Sequence, residues 1–250
     1  IDIAASYNHT LILRTNGTVW SAGYNQYGEL GTGDTEERTI FTQVKGPNGE
    51  GNLENIVQIT TGNYTGYALT TNGEVYGWGS NRYGELGQGS KSDDPVLYPT
   101  KMKKVSNIIQ ISSGAEYIVM LDAEGKVWGT GYNGNGQLGL VDTTNRTEPT
   151  KVDIENVIDI TAVNQYTAIL KKDGTVWTTG YSGYGTSGIS TEKTNQFKQV
   201  PNITDVIEIS SEANTMHALK KDGTIWSWGL NDYGNFGNST TSGSATIEPY

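Results

Sequence analysis

The chain has 250 residues, with 17 lysines and arginines against 27 aspartates and glutamates, a net charge of −10 and no cysteine. The absence of cysteine excludes a disulfide framework, a thiolate metal cluster and a cysteine nucleophile. The acidic balance argues against nucleic acid as a partner, because binding phosphates needs a basic surface. No apolar run approaches the roughly 18 residues of a membrane-spanning helix, so membrane insertion is not expected.

A repeat of about 50 residues runs through the chain, a period typical of β-propellers and solenoids. Five segments align on one glycine, with spacings of 56, 52, 49 and 49 residues. A leucine stands four positions before each of these glycines, and valine or isoleucine stands two positions after it. The turn glycines are Gly17, Gly73, Gly125, Gly174 and Gly223.

Each repeat predicts four strands, as the first repeat illustrates. Alternating apolar residues at Ile1–Ile3 indicate a first strand of period two, and a second strand ends at Leu13. The pair Asn16-Gly17 predicts a type I′ hairpin, in which both central residues need positive φ. The third strand then carries Val19-Trp20, and a weaker fourth strand is predicted at Phe41–Val44.

Four antiparallel strands per repeat predict an all-β fold, a β-propeller built of five four-stranded blades over residues 1–250. No segment has helical periodicity, so we expect almost no helix. The tryptophan that follows the valine of each third strand should be largely buried between neighbouring sheets. These tryptophans are Trp20, Trp128, Trp177 and Trp226.

The glycine-rich stretches Gly23–Gly31, Trp78–Gly87 and Gly131–Gly139 resemble the repeat signature of the regulator-of-chromosome-condensation family, with a bacterial member expected. The fifth repeat resembles it with Phe236 in place of leucine, and the fourth departs from it at Ser182 and Ser187. The resemblance covers the whole chain. It implies a propeller that recognises proteins, and it transfers no binding residue.

Well-known members of that family have seven blades, so the resemblance implies a segment of a longer array. A closed five-bladed ring is the alternative. The final residues Glu248-Pro249-Tyr250 resemble Glu148-Pro149-Thr150, the start of a fourth strand.

No catalytic, cofactor-binding or metal-binding residues are assigned. His9 and His217 occupy different repeat positions and are interpreted as strand residues, because a metal site needs further ligands at a consistent spacing. The repeated glycines do not open a helix after a strand, as a phosphate-binding loop requires. The chain is therefore expected not to be an enzyme.

The candidate binding residues lie in the stretches that differ most between repeats, which are Asp34–Arg38, Lys45–Asn52, Ser90–Leu97 and Val141–Arg146. A rigid scaffold leaves such loops free to vary. Tyrosines of the glycine loops are a second set, because tyrosine is favoured in recognition surfaces. They could equally pack between blades. The candidates are Asp34, Glu36, Glu37, Asp93, Asp94, Tyr27, Tyr83, Tyr184 and Tyr233.

The sequence thus predicts a non-enzymatic protein-interaction scaffold that binds a protein through loops on one propeller face. Two alternatives stay open. The loop tyrosines could make a carbohydrate-binding propeller with a glycan partner, and the family resemblance includes secreted β-lactamase inhibitors. The composition, rich in threonine, asparagine, glycine and tyrosine, suggests an extracellular or cell-surface protein.

Overall fold

The computed structural model describes the backbone of residues 1–246 and the side chains up to residue 241, so the predicted strand start at Glu248–Tyr250 lies outside the described residues. Within that part, twenty strands form five four-stranded antiparallel sheets, and one turn of 3₁₀ helix covers Pro47–Gly49. The predicted all-β fold with five four-stranded blades is confirmed. The strands are β1 (Asp2–Ala5), β2 (His9–Leu13), β3 (Val19–Gly23), β4 (Arg38–Gln43), β5 (Ile56–Thr61), β6 (Thr65–Thr70), β7 (Val75–Asn81), β8 (Ser92–Lys101), β9 (Ile108–Ser113), β10 (Tyr117–Asp122), β11 (Val127–Gly131), β12 (Arg146–Lys151), β13 (Val157–Val163), β14 (Tyr166–Lys171), β15 (Val176–Gly180), β16 (Thr194–Gln199), β17 (Val206–Glu212), β18 (Thr215–Lys220), β19 (Ile225–Asn231) and β20 (Ser242–Thr246).

Each blade takes four consecutive strands in chain order, so neighbours along the chain are neighbours in the sheet. Residues Ser92–Leu97, predicted as a divergent loop, belong to β8, and Asp93 and Asp94 therefore lie on a strand. The blades fall into two compact units. The first comprises Ile1–Ala123, Trp128–Tyr132 and Asn145–Lys151, and the second comprises Glu124–Val127, Asn133–Thr144 and Val152–Tyr250.

The hairpin between the second and third strands differs from the predicted type I′ turn. The Arg14 N–H donates to Thr18 O and the Gly17 N–H donates to Arg14 O, both at 3.0 Å. Gly17 has a φ of 76°, whereas Asn16 is not among the residues with positive φ. This is a three-residue loop, a type I turn followed by a glycine bulge. All five turn glycines have positive φ, between 74° and 85°.

Asparagine and aspartate are favoured before the turn glycine for a different reason from the one predicted. The Asn16 side-chain oxygen accepts hydrogen bonds from the Thr18 hydroxyl at 2.7 Å and the Thr18 N–H at 3.3 Å. Asp173 and Asp222 receive the same pair of bonds from Thr175 and Thr224. The side chain closes the turn, as Asx residues commonly do.

A bulge replaces the predicted period of two in the first strand of most blades. In the second blade the pairing with β6 shifts between Ile56 and Gln58. Ile56 and Ile59 are consequently both buried, while Val57 between them is about half exposed. The shift recurs at the start of β13 and β17, so buried residues stand three positions apart.

The core of the first unit lies between successive blades. Leu11, Leu13 and Val19 of the first blade pack with Ile59 and Trp78 of the second. Burying such side chains contributes roughly 1.5–3 kcal/mol each. In the second unit the equivalent cluster joins the fourth blade to the fifth and is centred on Trp228.

The four tryptophans expected to be largely buried are partly buried, and Trp128 and Trp226 pack against the cores between neighbouring blades. Period two sends the preceding valine into the core and turns the indole towards the hairpin. There the Trp128 N–H donates to Asp122 at 2.9 Å, and the Arg14 guanidinium lies 3.9 Å from the centre of the Trp20 ring. The fully buried tryptophans are instead Trp78 and Trp228.

Candidate functional site

The glycine loops lie at one end of the sheets, opposite the hairpins. Each loop connects the third strand of its blade to the fourth, and antiparallel pairing puts the short first turn at the same end. The backbone joins the two, since the Tyr24 N–H donates to Asn8 O and the Ser80 N–H donates to Tyr64 O, both at 2.9 Å. Lys45–Asn52, one of the predicted binding loops, instead begins and ends at the hairpin end, because it connects β4 to β5.

The first three glycine loops each dock on the fourth strand of the following blade. The Gly33 N–H donates to Leu97 O at 3.1 Å, and the Gly89 N–H donates to Thr147 O at 2.8 Å. A Cβ on Gly84 would lie 2.5 Å from the Thr147 Cα, so only glycine fits this backbone approach.

An asparagine organises the interior of the loop. Asn25 Oδ1 accepts from the Leu30 N–H at 2.9 Å, while its amide donates to the Asp34 and Glu36 carbonyl oxygens, both at 3.0 Å. In the divergent fourth repeat, the Ser182 hydroxyl accepts from the Ser187 N–H at 3.0 Å and keeps the loop closed. The motif side chains are therefore committed to the fold.

The predicted loop tyrosines have two environments. Tyr27 packs on Tyr64 with 4.6 Å between ring centres, and Tyr83 meets Tyr132 edge-on at 5.1 Å, so both rings bridge neighbouring blades. Tyr184 and Tyr233 are 41% and 93% exposed. Of the four predicted tyrosines, only Tyr184 and Tyr233 are therefore exposed.

Arg82 joins several of the predicted residues in one patch. Its guanidinium lies 4.9 Å from the centre of the Tyr27 ring, and its Nε lies 3.8 Å from Asp93 Oδ1. Tyr83 follows it in the chain, and the negative charge of Glu116 is the first cause that raises the Tyr83 pKa. We call Tyr27, Tyr64, Arg82, Tyr83, Asp93, Glu116 and Tyr132 the arginine–tyrosine patch.

Sequence reasoning missed Arg82, Tyr64 and Glu116. A signal for Arg82 was present, because its repeat position holds Gln26, Gly134, Gly183 and Asp232 in the other repeats. A cation found in only one of the five repeats at this position, in an acidic chain, indicates a role outside the common packing.

The acidic candidates also have two environments, one within the loop structure and one exposed to solvent. Asp34 pairs with Arg38 at 2.5 Å and accepts from the Asn25 amide at 3.2 Å, so it holds the loop in shape. Glu36 and Glu37 are exposed, as are Asp93 and Asp94. These four carboxylates are accessible to a partner.

The two histidines are bound by hydroxyl groups. His9 Nδ1 lies 2.8 Å from Ser6 Oγ, and His217 Nδ1 lies 2.8 Å from Ser227 Oγ. Burial lowers the pKa of His9 to about 4 and also lowers the pKa of His217. Across the described residues, no three histidine or acidic side chains are grouped to hold a metal ion, and no helix of that part could span a membrane.

Comparison with curated proteins finds three informative relatives. The ultraviolet-B receptor UVR8 of Arabidopsis thaliana is 31% identical over 153 residues, covering 60% of this chain and 33% of the receptor. The probable E3 ubiquitin-protein ligase HERC4 of mouse is 32% identical over 61% of this chain and 14% of the ligase. The RCC2 homologue of zebrafish is 37% identical over 52% of this chain and 26% of that protein. The chain thus spans a third or less of these relatives.

Solved structures share the fold along the whole chain. Human WBSCR16 superimposes with a TM-score of 0.84 at 21% identity, covering 100% of this chain and 66% of that one. Yeast RCC1 (Prp20), in a structure bound to Kap60, gives a TM-score of 0.82 at 24% identity and covers 100% and 62%. At these identities the likeness shows the fold alone. The RCC1-like domain family matches residues 1–250, and the chain therefore belongs to that family.

Proposed function

We propose that this RCC1-like domain is a non-enzymatic protein-interaction module whose contact surface is the arginine–tyrosine patch with the exposed carboxylates around it. The observation that carries the proposal is that Arg82 unites Tyr27 and Asp93 at one surface. Arginine and tyrosine are enriched among the residues that dominate binding energy at protein interfaces.

The difference between repeat positions that serve packing and positions that vary supports this assignment. Motif positions such as Asn25 and Gly84 are used by packing in every blade, so discrimination between partners must come from positions that differ. Arg82 and Glu116 are such positions, and they lie on a scaffold that fixes their backbone. A preformed surface of this kind binds with little loss of conformational entropy.

The structural neighbours support protein as the partner class. Yeast RCC1 has been solved in complex with Kap60, and the yeast protein Prp20p has binding properties towards Gsp1p and histones. Those partners belong to the yeast protein. For this chain we infer the class only, and an extracellular or cell-surface location stays a prediction.

The test is capture of partners by the wild type and three variants, with mass spectrometry and affinity measurement. We expect Arg82→Ala to weaken binding by about 2 kcal/mol or more, as a central interface residue does. Glu36→Lys with Glu37→Lys, and Asp93→Lys with Asp94→Lys, should weaken it further or change the set of partners.

The matched control is Asp153→Lys with Glu155→Lys, an exposed acidic pair at the hairpin end of the sheets. This control should bind as the wild type does. Unchanged binding in all patch variants would contradict the proposal. Loss of binding only on replacing Tyr184 and Tyr233, together with signals on a glycan array, would favour the carbohydrate alternative.

A further inference from the structure

A small cavity opens beneath the arginine–tyrosine patch. Its volume is about 40 Å³, and the residues that contribute to its lining include Tyr64, Thr65, Arg82, Tyr83, Glu85 and Glu116. A cavity holds a water molecule once roughly 10–15 Å³ is free to its centre, so this one admits a polar group somewhat larger than water.

The cavity exists because the second blade has a small residue where others have a ring. Thr65 stands eight positions before its turn glycine, and the same position holds Tyr117 and Tyr166 in the next two blades. Those tyrosines are buried. Threonine leaves the volume of a ring unfilled and presents a hydroxyl in its place.

Three side chains that line the cavity, those of Thr65, Glu85 and Glu116, carry oxygens that can accept hydrogen bonds. Glu85 is 1% exposed, and its carboxylate oxygens accept from the Ser80 hydroxyl at 3.0 Å and the Tyr83 N–H at 2.7 Å, with the backbone N–H groups of Arg82 and Glu85 also acting on them. Thr65 is 2% exposed. Its Oγ1 lies near the Tyr67 hydroxyl but makes no hydrogen bond of ordinary geometry.

The charges of the cavity sum to a negative value. Glu85 and Glu116 face one guanidinium, and Arg82 already stacks on Tyr27 and lies beside Asp93. Burial is the main cause that raises the pKa of both glutamates, and the charge of Glu85 adds to the rise at Glu116. Each carboxylate charge makes ionisation of the other less favourable, so a cation placed between the two stabilises both in the ionised form.

We infer that this cavity receives the ε-ammonium of a lysine side chain from the protein partner, which rests on the proposed function for the partner's class. An ammonium has three donors, matching the Glu85 carboxylate, the Glu116 carboxylate and Thr65 Oγ1. Tyr64 and Tyr83 at the walls suit the lysine stem and stabilise a nearby cation through their ring faces. A planar guanidinium has five donors in a fixed fork, more than these three acceptor groups match.

The probe is Nα-acetyl-lysine methylamide, titrated into the full chain while backbone amide signals are followed by NMR. We expect saturable shifts at Thr65, Arg82 and Glu116, with an affinity in the millimolar range. Nα-acetyl-norleucine methylamide, which lacks the charge, should give none. Two further probes carry a different cation. The arginine analogue carries a guanidinium, and Nε-acetyl-lysine amide carries its charge only on the α-amine. Comparison with them shows whether binding requires an ammonium at the end of a flexible side chain.

Two variants test the assignment of the acceptors. Glu116→Gln should weaken the lysine probe about tenfold, which corresponds to about 1.4 kcal/mol, and Thr65→Tyr should abolish binding by restoring the ring found in the next two blades. The control Glu155→Gln should leave the titration unchanged. Thermal melting of each variant establishes that it is folded.

Shifts that are equal for the lysine and norleucine probes, or that survive Glu116→Gln at full strength, would show that the ammonium is not bound by these acceptors and would overturn the inference. The proposed function fails separately, if partner binding is unchanged in all the patch variants. If the lysine probe binds but partner binding does not depend on the patch, the inference about the cavity therefore stands and the proposed interface is rejected.

Discussion

At the scale of single residues, tryptophan shows how burial decides the energetic role of one side chain. Trp78 is fully buried among residues of the first two blades, and its indole N–H donates to Glu29 O at 2.8 Å. Trp128 is only partly buried, with its N–H bonded to Asp122. We expect Trp78→Ala to cost about 3–5 kcal/mol, as deletion of a core aromatic does. Trp128→Ala should cost clearly less.

Chemical denaturation of the two variants checks this order. The matched pair shares residue type and substitution and differs in environment. If Trp128→Ala proved as destabilising as Trp78→Ala, the contacts of Trp128 with the core between the second and third blades would have to stabilise the fold as much as full burial does.

His9 makes stability depend on pH. Burial holds the pKa of His9 at about 4 in the folded protein, against 6.5 when unperturbed. Between these two values the imidazole is protonated in the unfolded chain and neutral in the folded chain. Stability should therefore fall as the pH is lowered from 6.5 to 4, by about 3 kcal/mol in total. His9→Thr, which introduces the residue of the equivalent positions 65 and 215, should remove this fall.

Glu29 acts in the opposite direction, because burial raises its pKa to about 7. Its ionisation destabilises the folded state at high pH, and this cost is relieved as the pH falls from about 7. Unfolding curves should therefore be compared in a Glu29→Gln background, since glutamine is native at the equivalent position 137. A pH slope that is the same with and without His9 in that background would refute the prediction.

At the scale of elements, the glycine loop and the fourth strand that receives it form the joint between blades. Gly84 has a φ of 85°, and its missing Cβ would lie 2.5 Å from the Thr147 Cα. Gly84→Ala should cost at least about 3 kcal/mol, combining left-handed strain with overpacking against backbone. Gly51 has a φ of 63° and nothing within 4 Å of its missing Cβ, so Gly51→Ala should cost only the strain, about 1–2 kcal/mol.

Thermal unfolding of both alanine variants measures the difference, and hydrogen exchange at Gly89 reports on the joint itself. The Gly89 N–H donates to Thr147 O and should exchange faster in Gly84→Ala. Equal destabilisation of the two variants would mean that the loop moves away from the strand at no cost.

The elements were predictable because the same local preferences recur five times. Hairpin glycines, the core leucine and the glycine loop each have a local physical cause. The exact turn was not predictable, since a glycine with positive φ is common to the type I′ turn and the bulged loop, and only the φ of Asn16 separates them. The interruption of the predicted period of two in the first strand was not predictable, because the bulge at Ile56–Gln58 depends on pairing with β6.

The candidate site was only partly predictable. Tyr27, Tyr83 and Asp93 were identified from repetition and divergence, but their convergence on Arg82 depends on docking between blades. The cavity below them arises from Thr65, where a small residue leaves a space whose shape is set by its neighbours. Such a space is a tertiary property, and a single sequence does not specify it.

At the scale of the whole molecule, the net charge of −10 should attract a partner that presents lysine. Such long-range attraction acts mainly on the rate of association, which it raises by about 10–1,000-fold, and salt screens it by shortening the Debye length from about 10 Å at 0.1 M to about 3 Å at 1 M. We therefore expect the association rate constant for the captured partner to fall about tenfold or more over that range. The dissociation rate should change far less.

Stopped-flow measurements across a salt series test this, with Glu36→Lys plus Glu37→Lys as the informative variant. That change shifts the net charge by +4 at exposed positions next to the patch, so it should lower the association rate at low salt and flatten its salt dependence. Asp153→Lys plus Glu155→Lys shifts the charge equally at the hairpin end of the sheets. If both pairs flatten the salt dependence alike, total charge and not the patch guides encounter, and if neither does, the partner is not attracted by charge.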